Sequence, residues 1–324
     1  MSCLILPSDS ERQTDKYCIL GVIIVGRGKI ADAVKSGGIL CSDGAWGTIL
    51  IGKGLKPGEC PELWCLENPD AVRDIARAYI DAGADMVKTN SFGATSFKLR
   101  PFGLDSRVSE INEAAAKLSR EAAGDKNWVI ASAGPTGKLV ITGEVTEEEL
   151  YGAYKTQAIA LEKGGADAVC FETMMAVDEA VAAVKAAKEH TGLEVICTFT
   201  FSPIKKGGFR TLMGDTPAAA CKAAADAGAD IVGANCGNGI ADMAAIVKEI
   251  RESLPHTPII VHANAGIPEL NENGHETFPE TPEIMAAGVA ALIYSGADII
   301  GGCCGTTPAH VKEIKARCRR YGLA

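Results

Sequence analysis

One short phrase recurs along this chain and constrains its fold more than any other feature. Helical patterning ends in Gly-Ala-Asp and passes directly into an apolar run. It does so at Gly83-Ala84-Asp85-Met86-Val87, Gly165-Ala166-Asp167-Ala168-Val169, Gly228-Ala229-Asp230-Ile231-Val232 and Gly296-Ala297-Asp298-Ile299-Ile300. The glycine suits the left-handed backbone position that closes a helix. The apolar run suits a parallel strand covered on both faces. Repetition of such a unit marks successive βα modules rather than a bundle or a sandwich.

Filling the intervals gives eight strands, beginning near Ile39, Asp85, Trp128, Ala166, Glu194, Asp230, Pro258 and Asp298. Helical periodicity covers Pro69–Ala82, Val108–Ala123, Glu147–Lys163, Val177–His190, Thr216–Ala227, Ile240–Ser253, Pro282–Ser295 and Pro308–Tyr321. Eight alternating units predict a single α/β domain, a (β/α)8 TIM barrel, over residues 30–324. Residues 1–29 do not share the pattern and are expected to form an N-terminal extension that covers the scaffold, with a strand between Tyr17 and Val25. Its Gly26-Arg27-Gly28 lacks the third glycine and the opening helix of a dinucleotide-binding turn.

Composition excludes several classes of partner. With 324 residues, 47% hydrophobic and 23% charged, the chain can bury a large core. A net charge of −9 disfavours a nucleic-acid backbone, which calls for clustered Lys and Arg. No apolar run approaches the length of a membrane span, and Ile19–Val25 follows acidic residues rather than a basic leader. Twelve cysteines without a secretory signal point to free thiols in a reducing cytoplasm.

A barrel puts its chemistry where the strands end. In chain order those ends carry Asp43, then Thr89 and Asn90, Gly134-Pro135-Thr136-Gly137, Glu172 and Thr173, Thr198 and Thr200, Asn235 and Cys236, His262 and Asn264, and finally Cys303 and Cys304. The thiols stand out. Cys303-Cys304 follows one apolar strand, and Cys236 holds the equivalent place after another. Alone, a Cys-Cys pair is better explained as two core residues beside a strand end. With Cys236 at the same mouth, three thiolates and one vacancy make a catalytic zinc site, and sulfur ligands favour zinc over magnesium or calcium. His262 and His275 either complete that shell or are hydrogen-bonded loop residues. Asp43 and Glu172 either cap and pair locally or receive a cationic group of a ligand. The amides of the turn Gly44-Ala45-Trp46-Gly47-Thr48 can face an anion.

These motifs together resemble the homocysteine S-methyltransferase family, and within it the homocysteine-binding barrel of cobalamin-dependent methionine synthases. The resemblance rests on Asp43-Gly44-Ala45-Trp46-Gly47-Thr48, Thr89-Asn90-Ser91-Phe92-Gly93-Ala94-Thr95, Gly134-Pro135-Thr136-Gly137, Phe171-Glu172-Thr173, Asn235-Cys236-Gly237, Asn264-Ala265-Gly266 and Gly301 to Pro308. It implies zinc held by Cys236, Cys303 and Cys304, with the homocysteine sulfur in the fourth position. It further implies Asp43 and Glu172 on the substrate amino group, and the Ala45 and Trp46 amides with Thr89 on its carboxylate. Asn235 joins the substrate-binding set through its place in the Asn-Cys-Gly motif.

The function implied is methyl transfer to homocysteine, giving methionine. The sequence contains no corrinoid motif and no folate barrel, so methylcobalamin is expected on a separate corrinoid protein. The alternatives are another donor such as S-methylmethionine, methylation of a corrinoid protein from another methyl compound, or a non-catalytic zinc- or corrinoid-protein-binding subunit. Three departures bear on the substrate. Trp46 is bulkier than the methionine or tyrosine of that loop in the family, Lys88 stands where a small or acidic residue is usual, and Gly237-Asn238-Gly239 is looser.

Overall fold

The computed structural model describes residues 27–270 and 276–321, together with the short strands Cys18–Ile19 and Val22–Ile23. Those two strands pair antiparallel, so the expected strand between Tyr17 and Val25 is broken into a hairpin. The rest is the anticipated barrel. Its strands are β1 (Leu40–Cys41), β2 (Met86–Lys88), β3 (Trp128–Ala133), β4 (Ala168–Met174), β5 (Glu194–Phe199), β6 (Ile231–Asn235), β7 (Ile259–Ala263) and β8 (Ile299–Gly302). Between and after them run α1 (Pro69–Asp81), α2 (Val108–Ala123), α3 (Glu147–Lys163), α4 (Val177–His190), α5 (Pro217–Asp226), α6 (Ile240–Ser253), α7 (Pro282–Ser295) and α8 (Pro308–Tyr321). The strands form one parallel sheet, ordered β1-β8-β7-β6-β5-β4-β3-β2.

The ring is closed by different means between β1 and β2. No strand ladder joins them; one backbone bond runs from Asp85 N to Cys41 O (2.8 Å). Two carboxylates supply the rest. Asp85 Oδ2 accepts from Cys41 N at 2.7 Å, and Asp43 Oδ2 accepts from Lys88 N at 2.8 Å.

The recurring phrase now has a physical reading. Gly83, Gly165, Gly228 and Gly296 all hold φ between 97° and 112°, where any side chain would be strained. The aspartate that follows each performs one repeated task. Asp85, Asp167, Asp230 and Asp298 accept a backbone N–H of the preceding strand, from Cys41, Val129, Val195 and Ile259. Each also pairs with a cation from a surrounding helix: Lys315, Arg120, Lys188 and Arg251 respectively. The phrase thus fastens helix to strand at the base of the barrel.

Strand periodicity of two then sorts the side chains. One alternating set, including Val129, Val169, Val195, Val232, Val261 and Ile300, packs outward against the helices. Inward, a base layer of Met86, Ile130, Ala168, Cys170, Ile196, Ile231, Ile260 and Ile299 is closed from below by Ile30, Ala31 and Val34 of the short helix Ile30–Lys35. That helix is capped by Glu194, which accepts from Ile30 N and Ala31 N at 2.5 and 3.0 Å. Two residues further along each strand, the same inward register reaches the upper end and turns polar: Lys88, Ser132, Glu172, Thr198 and His262.

Candidate metal and substrate site

Cys236 follows β6, and Cys303 and Cys304 follow β8, with β7 between them. Backbone bonds tie the three to that shared strand and its loop. Cys236 N donates to His262 O (3.0 Å), Cys303 N to Ala263 O (2.7 Å), and Ala265 N to Cys304 O (2.9 Å). Gly301 permits the close packing of β8 on the first loop, since a Cβ there would lie 2.7 Å from Asp43 O and 2.8 Å from Ser42 Cβ.

The three sulfurs lie within 4.8 Å of one another, and Cys236 Sγ stands 3.8 Å from Cys304 Sγ. Tetrahedral coordination with Zn–S near 2.3 Å requires sulfurs about 3.8 Å apart. The donor set therefore fits zinc in both chemistry and spacing. Cys236 reaches it with a left-handed backbone, φ 60°, an unfavourable conformation for a residue with a side chain. Among the described residues the only other such non-glycine is Thr173, φ 64°, across the mouth at the end of β4.

The neighbouring Cys303 and Cys304 thiols push the pKa of Cys236 far below the ordinary thiol value, against the opposing effect of burial. In consequence Cys303 is pushed up, chiefly by its bond to Cys236, and so is Cys304. A cation entering the cluster would displace its remaining protons.

A cavity of about 320 Å³ opens beside the sulfurs. Ala45, Trp46, Thr89, Glu172 and all three cysteines line it, as do Lys88, Ser132, Thr173, Glu62 and Phe92. Asp43 and Asn235 do not. Asp43 is wholly buried; its Oδ2 accepts from Trp46 Nε1 (2.9 Å) and Lys88 N, and its Oδ1 from Ser42 Oγ (3.3 Å). Burial raises its pKa to about 6, opposed by Lys88 and the indole bond. Asn235 holds Thr173 from both sides: its Oδ1 accepts from Thr173 N (2.7 Å) and from Thr198 Oγ1 (2.6 Å), and its Nδ2 donates to Thr173 Oγ1 (2.7 Å). The same Nδ2 lies 4.0 Å from Cys303 Sγ.

The first loop is pinned from behind. Thr306 Oγ1 accepts from Ala45 N at 3.0 Å, and Tyr79 Oη donates to Ala45 O at 2.6 Å. Thr89 Oγ1 accepts from Ser132 N at 3.0 Å. Glu172 receives the Ser132 hydroxyl on Oε1 and faces Lys88 Nζ at 3.4 Å through Oε2. Lys88 is itself buried; burial lowers its pKa, but Glu172, Asp43 and Cys303 outweigh that and hold it charged.

His262, one of the candidate fourth ligands, lies within β7, wholly buried, and is not part of the cluster of mutually close donors. Neither of its ring nitrogens has a hydrogen-bond partner, and burial with Lys88 nearby holds it neutral. His275, the other candidate, lies outside the described residues. Ser132 was not anticipated. Continuing the inward alternation one step from Ile130 would have found it.

Comparison with known proteins follows the same lines as the geometry. A model described as homocysteine S-methyltransferase matches residues 40–318. The methionine synthase of Mycobacterium tuberculosis (strain ATCC 25618 / H37Rv) is 31% identical over 299 residues, covering 87% of this chain and 25% of its own length. That of Mycobacterium leprae (strain TN) is 31% identical over 298 residues, with 87% and 24% covered. The chain thus spans about a quarter of those relatives. Among solved structures, the metallated homocysteine methyltransferase MmuM from Escherichia coli superposes with a TM-score of 0.72 at 24% identity, covering 88% of this chain and 98% of that one. A methyltransferase from Methanosarcina mazei superposes at 0.58 with 13% identity, covering 91% and 98%. Both share the fold.

Proposed function

The chain belongs to the homocysteine S-methyltransferase family, and from that premise we propose that it transfers a methyl group to the thiol of homocysteine, forming methionine, with Cys236, Cys303 and Cys304 holding zinc. The observation that carries this reading is the meeting of three sulfurs within 4.8 Å beside a cavity that opens to them. A purely structural zinc site would be closed by a fourth protein ligand, and among the described residues no fourth His, Cys, Asp or Glu joins the group.

When bound, zinc lowers the pKa of a thiol ligand, so homocysteine would be presented as a nucleophile at neutral pH. The chain's own residues do the rest. Cys236, Cys303 and Cys304, holding a divalent ion as thiolates, would leave the site net negative and so favour electron density on the substrate sulfur. Asn235 fixes Thr173 and points an amide N–H toward Cys303. Glu172, turned to the cavity by Ser132, offers a carboxylate for the substrate ammonium. Trp46, Leu50, Pro61 and Phe92 give the cavity apolar walls that limit water around the reacting sulfur. The new S–CH3 bond would form as the donor–CH3 bond breaks, the thiol proton having been released to solvent beforehand. No general base at the sulfur is required.

We propose a methylcorrinoid protein, supplied in trans, as donor, and the cytoplasm as location. The methionine synthase relatives support methionine as the product, and no helix among the described residues is long and apolar enough to cross a membrane. The test is anaerobic incubation of zinc-loaded protein with homocysteine and methylcobalamin, with S-methylmethionine in a parallel arm. Methionine from either donor supports the reading, and its source identifies the donor. Absence of methionine from both, at full zinc occupancy, rejects it.

A further inference from the structure

Lys88 is an unusual lining for a cavity proposed to receive an ammonium group. Its position follows from register: two residues after Met86 of the base layer, its side chain enters the barrel from β2. It is the one cationic residue among those that line the cavity. Its ammonium carries three N–H donors, and one contact accounts for them, Glu172 Oε2 at 3.4 Å, which is long for a hydrogen bond. Glu172 in turn is occupied on its other oxygen by Ser132. Lys88 therefore keeps donors for a ligand while Glu172 keeps it from being an isolated buried charge.

The surroundings say what that ligand is. The thiol cluster and Glu172 make the cavity negative, so an anionic substrate group is repelled from every charged element except Lys88. The loop after β1 offers less than its sequence suggests, because the Ala45 amide already donates to Thr306 Oγ1. We infer that Lys88 is the specificity-determining residue of the site: it holds the carboxylate of the substrate, so the protein selects thiols that bear a carboxylate and treats the α-amino group as secondary. This deepens the proposed function and rests on it, since it assumes that a substrate thiol reaches the metal.

The experiment reads ligation rather than turnover. Cobalt-substituted protein is titrated with homocysteine, with its desamino analogue (the γ-mercapto carboxylate) and with its decarboxy analogue (the amino thiol), following the thiolate-to-cobalt absorption band. The two carboxylates are expected to bind within about threefold of each other and the amino thiol at least about tenfold more weakly, the scale of one charge-assisted hydrogen bond. Lys88→Met is expected to weaken both carboxylates by that factor and leave the amino thiol unchanged, whereas Lys88→Arg keeps the wild-type order. Lys88→Gln removes the charge while keeping a polar partner for Glu172 and serves, with the same expected pattern, if Lys88→Met does not fold. Binding of the amino thiol as tight as homocysteine in the wild type overturns the inference, and that comparison needs no variant. An equal loss for all three thiols in Lys88→Met overturns it as well. If no thiol alters the cobalt spectrum, the inference falls together with the proposed function. If the carboxylate preference holds but no methyl transfer is found, only the proposed function falls.

Discussion

Asp298 offers the sharpest test of how this barrel is held together. Replacing it with alanine removes the acceptor for Ile259 N–H at 2.8 Å, leaving a buried donor unpaired, a loss of about 1–3 kcal/mol. It also removes the pair with Arg251 at 2.7 Å, in which both side chains are about one-quarter exposed; screening limits that to about 1 kcal/mol. Arg251 itself stays satisfied, since it also donates to the carbonyls of Gly296, Leu254, Pro255 and Thr257. The expected total is about 2–4 kcal/mol for Asp298→Ala. Asp298→Asn keeps an oxygen for Ile259 N–H and loses only the charge, so about 1 kcal/mol is expected. Urea unfolding followed by circular dichroism measures both. The same ordering is expected at Asp230, whose carboxylate serves Val195 N and Lys188 in the same way. Equal losses for the alanine and asparagine variants would show that the ion pair, not the backbone bond, does the fastening, and a loss under about 0.5 kcal/mol for alanine would refute the whole account.

Three further outcomes follow from the site. Cys304→Ala should reduce bound zinc from one equivalent to near zero by elemental analysis after gel filtration, and retained stoichiometry would reject the ligand set. Asn235→Ala removes both bonds that hold Thr173 at φ 64°, and should lower stability by about 2 kcal/mol and weaken thiol binding to the cobalt form; unchanged affinity would separate Thr173 from the site. The third concerns pH. Burial raises the folded pKa of Asp43 from 3.8 to about 6, so the folded chain binds that proton more tightly than the unfolded chain. Wild-type stability relative to Asp43→Asn should therefore fall as pH rises from 4 through 6, by up to ~3 kcal/mol, and level off above; a difference that is flat with pH, measured by urea unfolding, contradicts the buried charge.

The fold was readable because its punctuation is chemical. Glycine after a helix, aspartate before a strand and proline or threonine at helix starts each have one local physical use, and they fall at Gly83, Asp85, Thr216 and Pro282 as the pattern requires. The helices accordingly begin and end within about a residue of expectation. The three cysteines were readable for a related reason: equivalent strand ends meet in a closed sheet. What the sequence did not reveal was how polar side chains divide their bonds. That Asp43 spends its oxygens on Trp46, Ser42 and the Lys88 amide, and that Asn235 clamps Thr173, depends on distances between strands far apart in the chain. The short hairpins Ser202–Pro203 with Phe209–Arg210 and Glu269–Leu270 with Glu276–Thr277 also went unforeseen, since two-residue strands carry no periodicity.

The stave that carries Lys88 is joined to β3 along its whole length but to β1 mostly by the carboxylates of Asp85 and Asp43. Such a joint can loosen without breaking a ladder. The amides of Cys41 and Lys88 should exchange their hydrogens with solvent sooner than those in the middle of β6 and β7, and when they do, the wall beside the cavity yields first. A bulky methyl donor approaching the sulfurs would thus meet a container with a compliant side, the side we infer to grip the acceptor.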